Sequence, residues 1–326
     1  MIRRLAASFV LVAAGVAGCG GDAALPDVTD GSLTIELSRS VPYVVDDPRF
    51  GGGTLSTDVF APAEDGPWPT VVMFHGNGGE SADMWDWAKA VANRGRVVFV
   101  PNWQRVAGED EDDPASTRAA LELMTHQAAC AVSFARATAP EYGGDPEHLT
   151  VEGWSAGGNA AVMAALAGAE PLETCTAAAP GEAQALVIHD GALLLAADVW
   201  DTVLAADPEV FYAFTPWRLL DGDPKMPIHV VAGEKALEGR PFDDAPGSWV
   251  FTRHSDVDLL GQLTEAGYFD DDGWLRLPEI NQWAANTLAG AGYDATFALL
   301  PDSTHGGLSR EGTQILVDTV VGAEGG

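Results

Sequence analysis

The chain has 326 residues, 47% of them hydrophobic, which is enough to bury one large core within a single domain. Its formal net charge is -31, from 48 Asp and Glu against 17 Lys and Arg, and this excludes a nucleic-acid partner because nothing would neutralise the phosphates. A solvated acidic surface that keeps the protein soluble accounts for the excess.

At the N-terminus, Arg3 and Arg4 precede an apolar run from Leu5 to Val16. That run is too short to span a membrane as a mature helix and reads as a signal peptide over residues 1–18. Its end, Val16-Ala17-Gly18-Cys19, resembles the lipobox of bacterial lipoproteins, in which the cysteine becomes the lipidated first residue of the mature chain. The expectation is a secreted, cell-surface or outer-envelope protein that meets the membrane only through a lipid anchor at Cys19. Residues 19–31 are small and polar, as a tether would be, and one domain is expected over residues 32–326. Outside the cell thiols oxidise, so the two remaining cysteines, Cys130 and Cys175, are expected to form a disulfide.

Leu33–Leu37 and Thr54–Phe60 alternate as antiparallel strands do. The pattern then changes: Thr70–Phe74 (TVVMF) is a continuous apolar run, as in a strand covered on both faces, and Arg96–Pro101 is another. Between them Ser81 is positioned to cap a helix that runs to about Arg94 and ends at Gly95. The acidic stretch Gly108–Pro114 has no histidine among its carboxylates and reads as a solvated loop, and Pro114 opens a long helix from about Ala115 to Thr138. Strands follow at His148–Glu152, Ala185–His189, Ile228–Val231 and Ala295–Leu300, with helices at Asn159–Ala167, Pro278–Leu288 and Gly312–Val321. Strands alternating with helices define an α/β class with a mostly parallel central sheet and helices on both faces. The irregular stretch from about Leu237 to Leu277 reads as an insertion or lid before the last helix–strand pair. Within it, Asp270, Asp272, Gly273 and Glu279 suggest part of a calcium loop, but Tyr268 would occupy the loop's first position, so the segment is expected to be a turn.

Gly153-Trp154-Ser155-Ala156-Gly157 matches G-x-S-x-G, the turn from strand to helix that presents a nucleophilic serine at the sheet edge. The helix that follows offers backbone N–H groups to a developing negative charge. His75-Gly76-Asn77-Gly78-Gly79 follows the first buried strand, where glycine lets a backbone N–H approach a carbonyl oxygen, so the oxyanion donors are assigned to Asn77 and Ala156. His75 is expected to support this loop. Of the seven histidines, His305 follows the last strand and is placed to take the proton of Ser155, with His254 a distant substitute. His126 lies within a helix, and His148, His189 and His229 in or beside strands are expected to be packing residues. Trp154 adjoins the nucleophile and is expected to border the substrate; Trp85, Trp87, Trp103, Trp200 and Trp217 lie in or near segments that flank the site.

The order of HGNGG, GWSAGG and a late THGG resembles α/β-hydrolases of the esterase and lipase type, over roughly Thr54 to Val321. The resemblance implies the α/β-hydrolase fold, a Ser–His–acid triad, no metal or cofactor, and ester hydrolysis through an acyl-enzyme. One departure stands out: the G-x-x-D turn that usually supplies the acid reads Gly233-Glu234-Lys235-Ala236 here. Glu238, two residues on, is the first alternative and Asp190, at the end of the preceding strand, the second; Asp243 or Asp244 would need the loop to fold back. Two other functions remain open at this point. The GWSAGG elbow also resembles prolyl-oligopeptidase-like peptidases, and the missing acid is compatible with a binding module that kept the fold.

Overall fold

The structure is a computed structural model that describes residues 33–50, 52–76, 78–103, 114–166, 170–191, 226–238 and 275–323. The expected signal peptide, Cys19 and tether, the acidic loop, and residues 239–274 of the expected insertion lie outside the described residues, as do Asn77, Trp200, Trp217, Asp243, Asp244 and His254.

An eight-stranded sheet has the order β1-β2-β4-β3-β5-β6-β7-β10. Its strands are β1 (Ile35–Asp47), β2 (Gly53–Pro62), β3 (Trp68–Phe74), β4 (Val97–Pro101), β5 (Gly144–Trp154), β6 (Ala185–His189), β7 (Ile228–Gly233) and β10 (Ala295–Leu300). The β1–β2 and β2–β4 pairs are antiparallel, and every later pair is parallel. The continuous apolar runs are the central strands: all of β4 (VVFVP) and all of β6 (ALVIH) are buried. Two helical layers produce that burial. On one face α2 (Pro114–Thr138), α3 (Ala156–Leu166) and α4 (Leu277–Gly290) cover a core that includes Phe99, Phe134, Val151, Leu186, Ile188 and Leu288. On the other, α1 (Trp85–Ala92) and α5 (Arg310–Gly322) cover Met73, Trp87, Val187, Val231, Leu316 and Val320. Each such side chain removed from water contributes about 1.5–3 kcal/mol.

Several elements differ from the expectation, and β5 begins at Gly144 rather than at His148. β1 continues to Asp47 rather than ending at Leu37, because pairing to β2 resumes past Pro42 through register shifts. Ser81 does not cap α1; its hydroxyl donates to Asp58 at 2.7 Å, and Glu80 caps a short 3-10 turn over Ser81–Met84 that leads into the helix. α3 begins at Ala156, directly after the serine, rather than at Asn159. The ends of the expected insertion are zipped together, since β8 (Leu237–Glu238) pairs antiparallel with β9 (Leu275–Arg276). Cys130 and Cys175 are joined in a disulfide that ties α2 to the segment after α3. Among the described residues no helix is long and apolar enough to cross a membrane.

Candidate active site

Parallel strands deliver their C-terminal ends to one edge of the sheet, and Ser155, Asp190 and His305 all follow such ends. At the end of β5 the chain turns so sharply that Ser155 takes φ 55, a left-handed conformation that only a tightly determined turn sustains in a non-glycine residue. The Ser155 N–H donates to the His189 carbonyl on β6 at 2.9 Å, and α3 starts at the next residue. The flanking glycines are sterically required. A Cβ on Gly153 would lie 2.0 Å from the Gly157 carbonyl oxygen, and one on Gly157 would lie 2.2 Å from that of Phe74.

His305 is held by a two-residue turn in which Thr304 and Gly307 exchange backbone hydrogen bonds at 2.9 and 3.1 Å. Its Nε2 lies 3.0 Å from Ser155 Oγ. Its Nδ1 lies 3.5 Å from Asp190 Oδ2, and the Asp190 side chain is fully buried. Asp190, also left-handed at φ 47, is fixed from two sides: its N–H donates to the Val231 carbonyl at 2.9 Å, and its Oδ1 accepts from the Gly233 N–H at 2.7 Å. The Gly233–Ala236 turn, where the acid was sought, thus serves Asp190 through its first amide. It also braces the histidine loop: Lys235 N–H donates to the Ser303 carbonyl at 2.8 Å, and the Asp302 N–H donates to Glu234 at 3.0 Å. Glu238 is placed in β8 opposite Leu275, and its side chain lies outside the described residues.

Ala156 is the first residue of α3, where first-turn amides have no carbonyl partner within the helix. Asn77, the other expected donor, is flanked by Gly76 and by Gly78 at φ 69. His75 supports this loop as expected: Nδ1 donates to the Gly76 carbonyl at 2.8 Å, Nε2 accepts from the Trp103 N–H at 3.4 Å, and the Trp103 ring stacks on it. Burial lowers the His75 pKa, which favours this neutral tautomer. Trp154 packs between Trp87 and His305, with its ring centroid 5.3 Å from that of the imidazole. A Cβ on Gly306 would approach this indole to 2.6 Å and one on Gly76 to 3.0 Å, so two site loops close directly on it. Trp85 donates its indole N–H to Asp58 at 2.9 Å.

Two groups set aside in the sequence lie behind Asp190. His189 is not a satisfied packing histidine, for neither ring nitrogen has a hydrogen-bond partner among the described residues, although the side chain is fully buried. Its Nε2 is 3.6 Å from Asp190 Oδ2 and its Nδ1 3.9 Å from Glu152 Oε1. Glu152 is fully buried, and both its carboxyl oxygens lack partners among the described residues. A carboxylate residue type within a predicted strand, just ahead of the serine, was the signal for it.

Serine, carboxylate and histidine after the fifth, sixth and last strands of this sheet, with a left-handed serine between strand and helix, define the α/β-hydrolase fold. A family model described as BD-FAE matches residues 57–188, which run from within β2 through nearly all of β6 and include the elbow. Similar solved structures include Thermogutta terrifontis esterase 2 phosphorylated by paraoxon, with 17% identity, a TM-score of 0.56, and 89% of this chain and 94% of that one covered. A hyperthermophilic esterase from the archaeon Pyrobaculum calidifontis is likewise 17% identical, with a TM-score of 0.52 over 90% of this chain and 85% of that one. No curated protein sequence matches the chain.

Proposed function

We propose that the protein hydrolyses carboxylic esters through an acyl-enzyme. Ser155 Oγ attacks the ester carbonyl carbon while His305 Nε2 takes its proton. The amides of Asn77 and Ala156 bind the oxyanion, and His305 returns the proton to the departing alcohol oxygen as the tetrahedral intermediate collapses. Water then attacks the acyl carbon, with His305 again as base, and releases the acid and free Ser155. The acid member in this reading is Asp190 rather than Glu238. Its task is to hold the N–H on His305 Nδ1 and to stabilise the imidazolium, and the Asp190 carboxylate already faces that nitrogen.

The observation that carries the reading is the 3.0 Å approach of His305 Nε2 to the left-handed Ser155. Structural neighbours named as esterases support it, and forms of the Thermogutta enzyme described as butyrate-bound and propionate-bound suggest short acyl groups as the starting point. The test is hydrolysis of a chain-length series of p-nitrophenyl esters by the native chain and by Ser155→Ala. Turnover that vanishes in the variant is expected; absence of turnover on every ester, or turnover that survives Ser155→Ala, overturns the proposal. The proposal extends to an extracytoplasmic lipoprotein anchored at Cys19, for which labelled palmitate enters the intact protein but not Cys19→Ala. Label retained by that variant refutes the anchor.

A further inference from the structure

Ser155, His305, Asp190, His189 and Glu152 follow one another from the sheet edge into the interior. The successive separations are 3.0, 3.5, 3.6 and 3.9 Å. The last three exceed the roughly 2.7–3.2 Å of an N–H···O hydrogen bond, so rotation of these side chains has to close them. We propose that His189 and Glu152 are positioning residues for the Ser155–His305–Asp190 triad: His189 donates Nε2–H to Asp190 Oδ2, and Glu152, as a carboxylic acid, donates to His189 Nδ1. The inference rests on the serine-hydrolase reading above.

Hydrogen-bond accounting fixes the arrangement. Asp190 Oδ1 is occupied by the Gly233 N–H, so Oδ2, fully buried, is the oxygen that must face both histidines. A carboxylate only accepts, and a lone pair on His189 Nε2 opposite it would set two acceptors against each other where both side chains are fully buried. The proton of a neutral His189 therefore sits on Nε2. Nδ1 then carries the lone pair, and the oxygen facing it must be a donor, which requires Glu152 to be protonated. The surroundings agree. Glu152 pairs in register with Met73 on β3 and Val187 on β6, and the Trp87 ring of α1 lies edge-on to His189 at 5.2 Å. Asp190 and His305 are the charged groups that act on His189, and β7 places Val231 beside it in register. Burial alone drives Glu152 well above the usual carboxylate range and is the main cause that pushes His189 down to about 4, so both shifts favour the neutral forms. One negative charge, on Asp190, is left in the line, opposite the imidazolium that forms on His305.

Removing a donor from Oδ2 destabilises the form in which Asp190 is charged and His305 neutral. The coupled pair then takes up its first proton at higher pH, whichever member receives it, and the acid limb of the activity profile moves up. The experiment measures the rate of Ser155 phosphonylation by a fluorophosphonate probe against pH, which requires an activated serine but no particular ester, together with kcat and KM on a p-nitrophenyl ester. His189→Phe keeps a ring against Trp87 and is expected to slow both rates about tenfold and to raise the acid limb by about one unit, with KM little changed. His189→Gln, with an amide donor, recovers part of the loss, and Glu152→Gln loses less than Glu152→Leu. An acid limb that stays in place in His189→Phe, or equal losses in the two Glu152 variants, overturns the positioning role even where Tm falls. A wild-type protein that does not label overturns instead the serine-hydrolase reading on which the role depends.

Discussion

Replacing Asp190 by Asn tests the assignment of the acid, and the structure sets the size of the effect. The Gly233 N–H donates to Oδ1 at 2.7 Å and would hold the carbonyl of an asparagine in that place. The NH2 group would then face His305 Nδ1, where Oδ2 now lies at 3.5 Å, and an N–H on that nitrogen would meet a donor. His305 responds by moving its proton to Nε2, so the nitrogen 3.0 Å from Ser155 Oγ no longer has a lone pair to accept the serine proton. A wrong tautomer of this kind costs about 10⁴ in kcat, equivalent to about 5.5 kcal/mol of barrier. The shape of the pocket is retained, so KM should stay within about threefold of wild type. Steady-state kinetics on a p-nitrophenyl ester, with Glu238→Gln measured beside it, decides the matter. A loss smaller than about 100-fold in Asp190→Asn, or a comparable loss in Glu238→Gln, refutes the reasoning and moves the acid toward β8.

Three further outcomes follow from the same geometry. Gly157→Ala places a Cβ 2.2 Å from the Phe74 carbonyl oxygen, so the elbow must shift and activity should fall by at least about 100-fold; activity near wild type would contradict the tight turn. Glu152→Gln should change the pH dependence of Tm. In the wild type the buried Glu152 holds a proton that the unfolded chain releases above about 4.5, which removes about 1.4 kcal/mol of stability per unit as pH rises toward its folded value. His189 acts oppositely, losing stability as pH falls from 6.5 toward about 4. The variant keeps only the second effect, so its Tm relative to wild type should rise from pH 5 to pH 8; a constant difference would show that Glu152 is not buried as an acid. Finally, the Cys130–Cys175 bridge closes a separation of 45 residues and should contribute about 4 kcal/mol, so the Cys130→Ala, Cys175→Ala double variant should melt about 10 °C lower. Free thiols in the unreduced protein would contradict it.

Much of the architecture was legible because burial on both faces leaves a plain mark: β6, buried along its whole length, has the bounds that its apolar run suggests. β1 was cut short because its pairing continues past Pro42 through register shifts that no alternation pattern announces. Ser155 and His305 were readable because a sharp strand-to-helix turn demands glycine at 153 and 157, and a base must come from the last loop. The acid was not readable with the same security. Ala236 vacates the usual slot, and what favours Asp190 is a contact from the Gly233 amide on the neighbouring strand, which is a property of the sheet. His189 looked like an ordinary strand histidine, because nothing local shows that its two nitrogens face carboxyl groups. Glu152 could have been noticed: an ionisable side chain at the end of the strand read over His148–Glu152, just ahead of the serine, asks for a reason.

The central claim is that Ser155 is an activated nucleophile, and covalent labelling followed by peptide mass mapping measures that most directly. Incubation with a fluorophosphonate should give one adduct per chain on the peptide that contains Ser155, absent in Ser155→Ala and formed far more slowly in His305→Ala. An unmodified Ser155 peptide, or an adduct on another residue, would contradict the account.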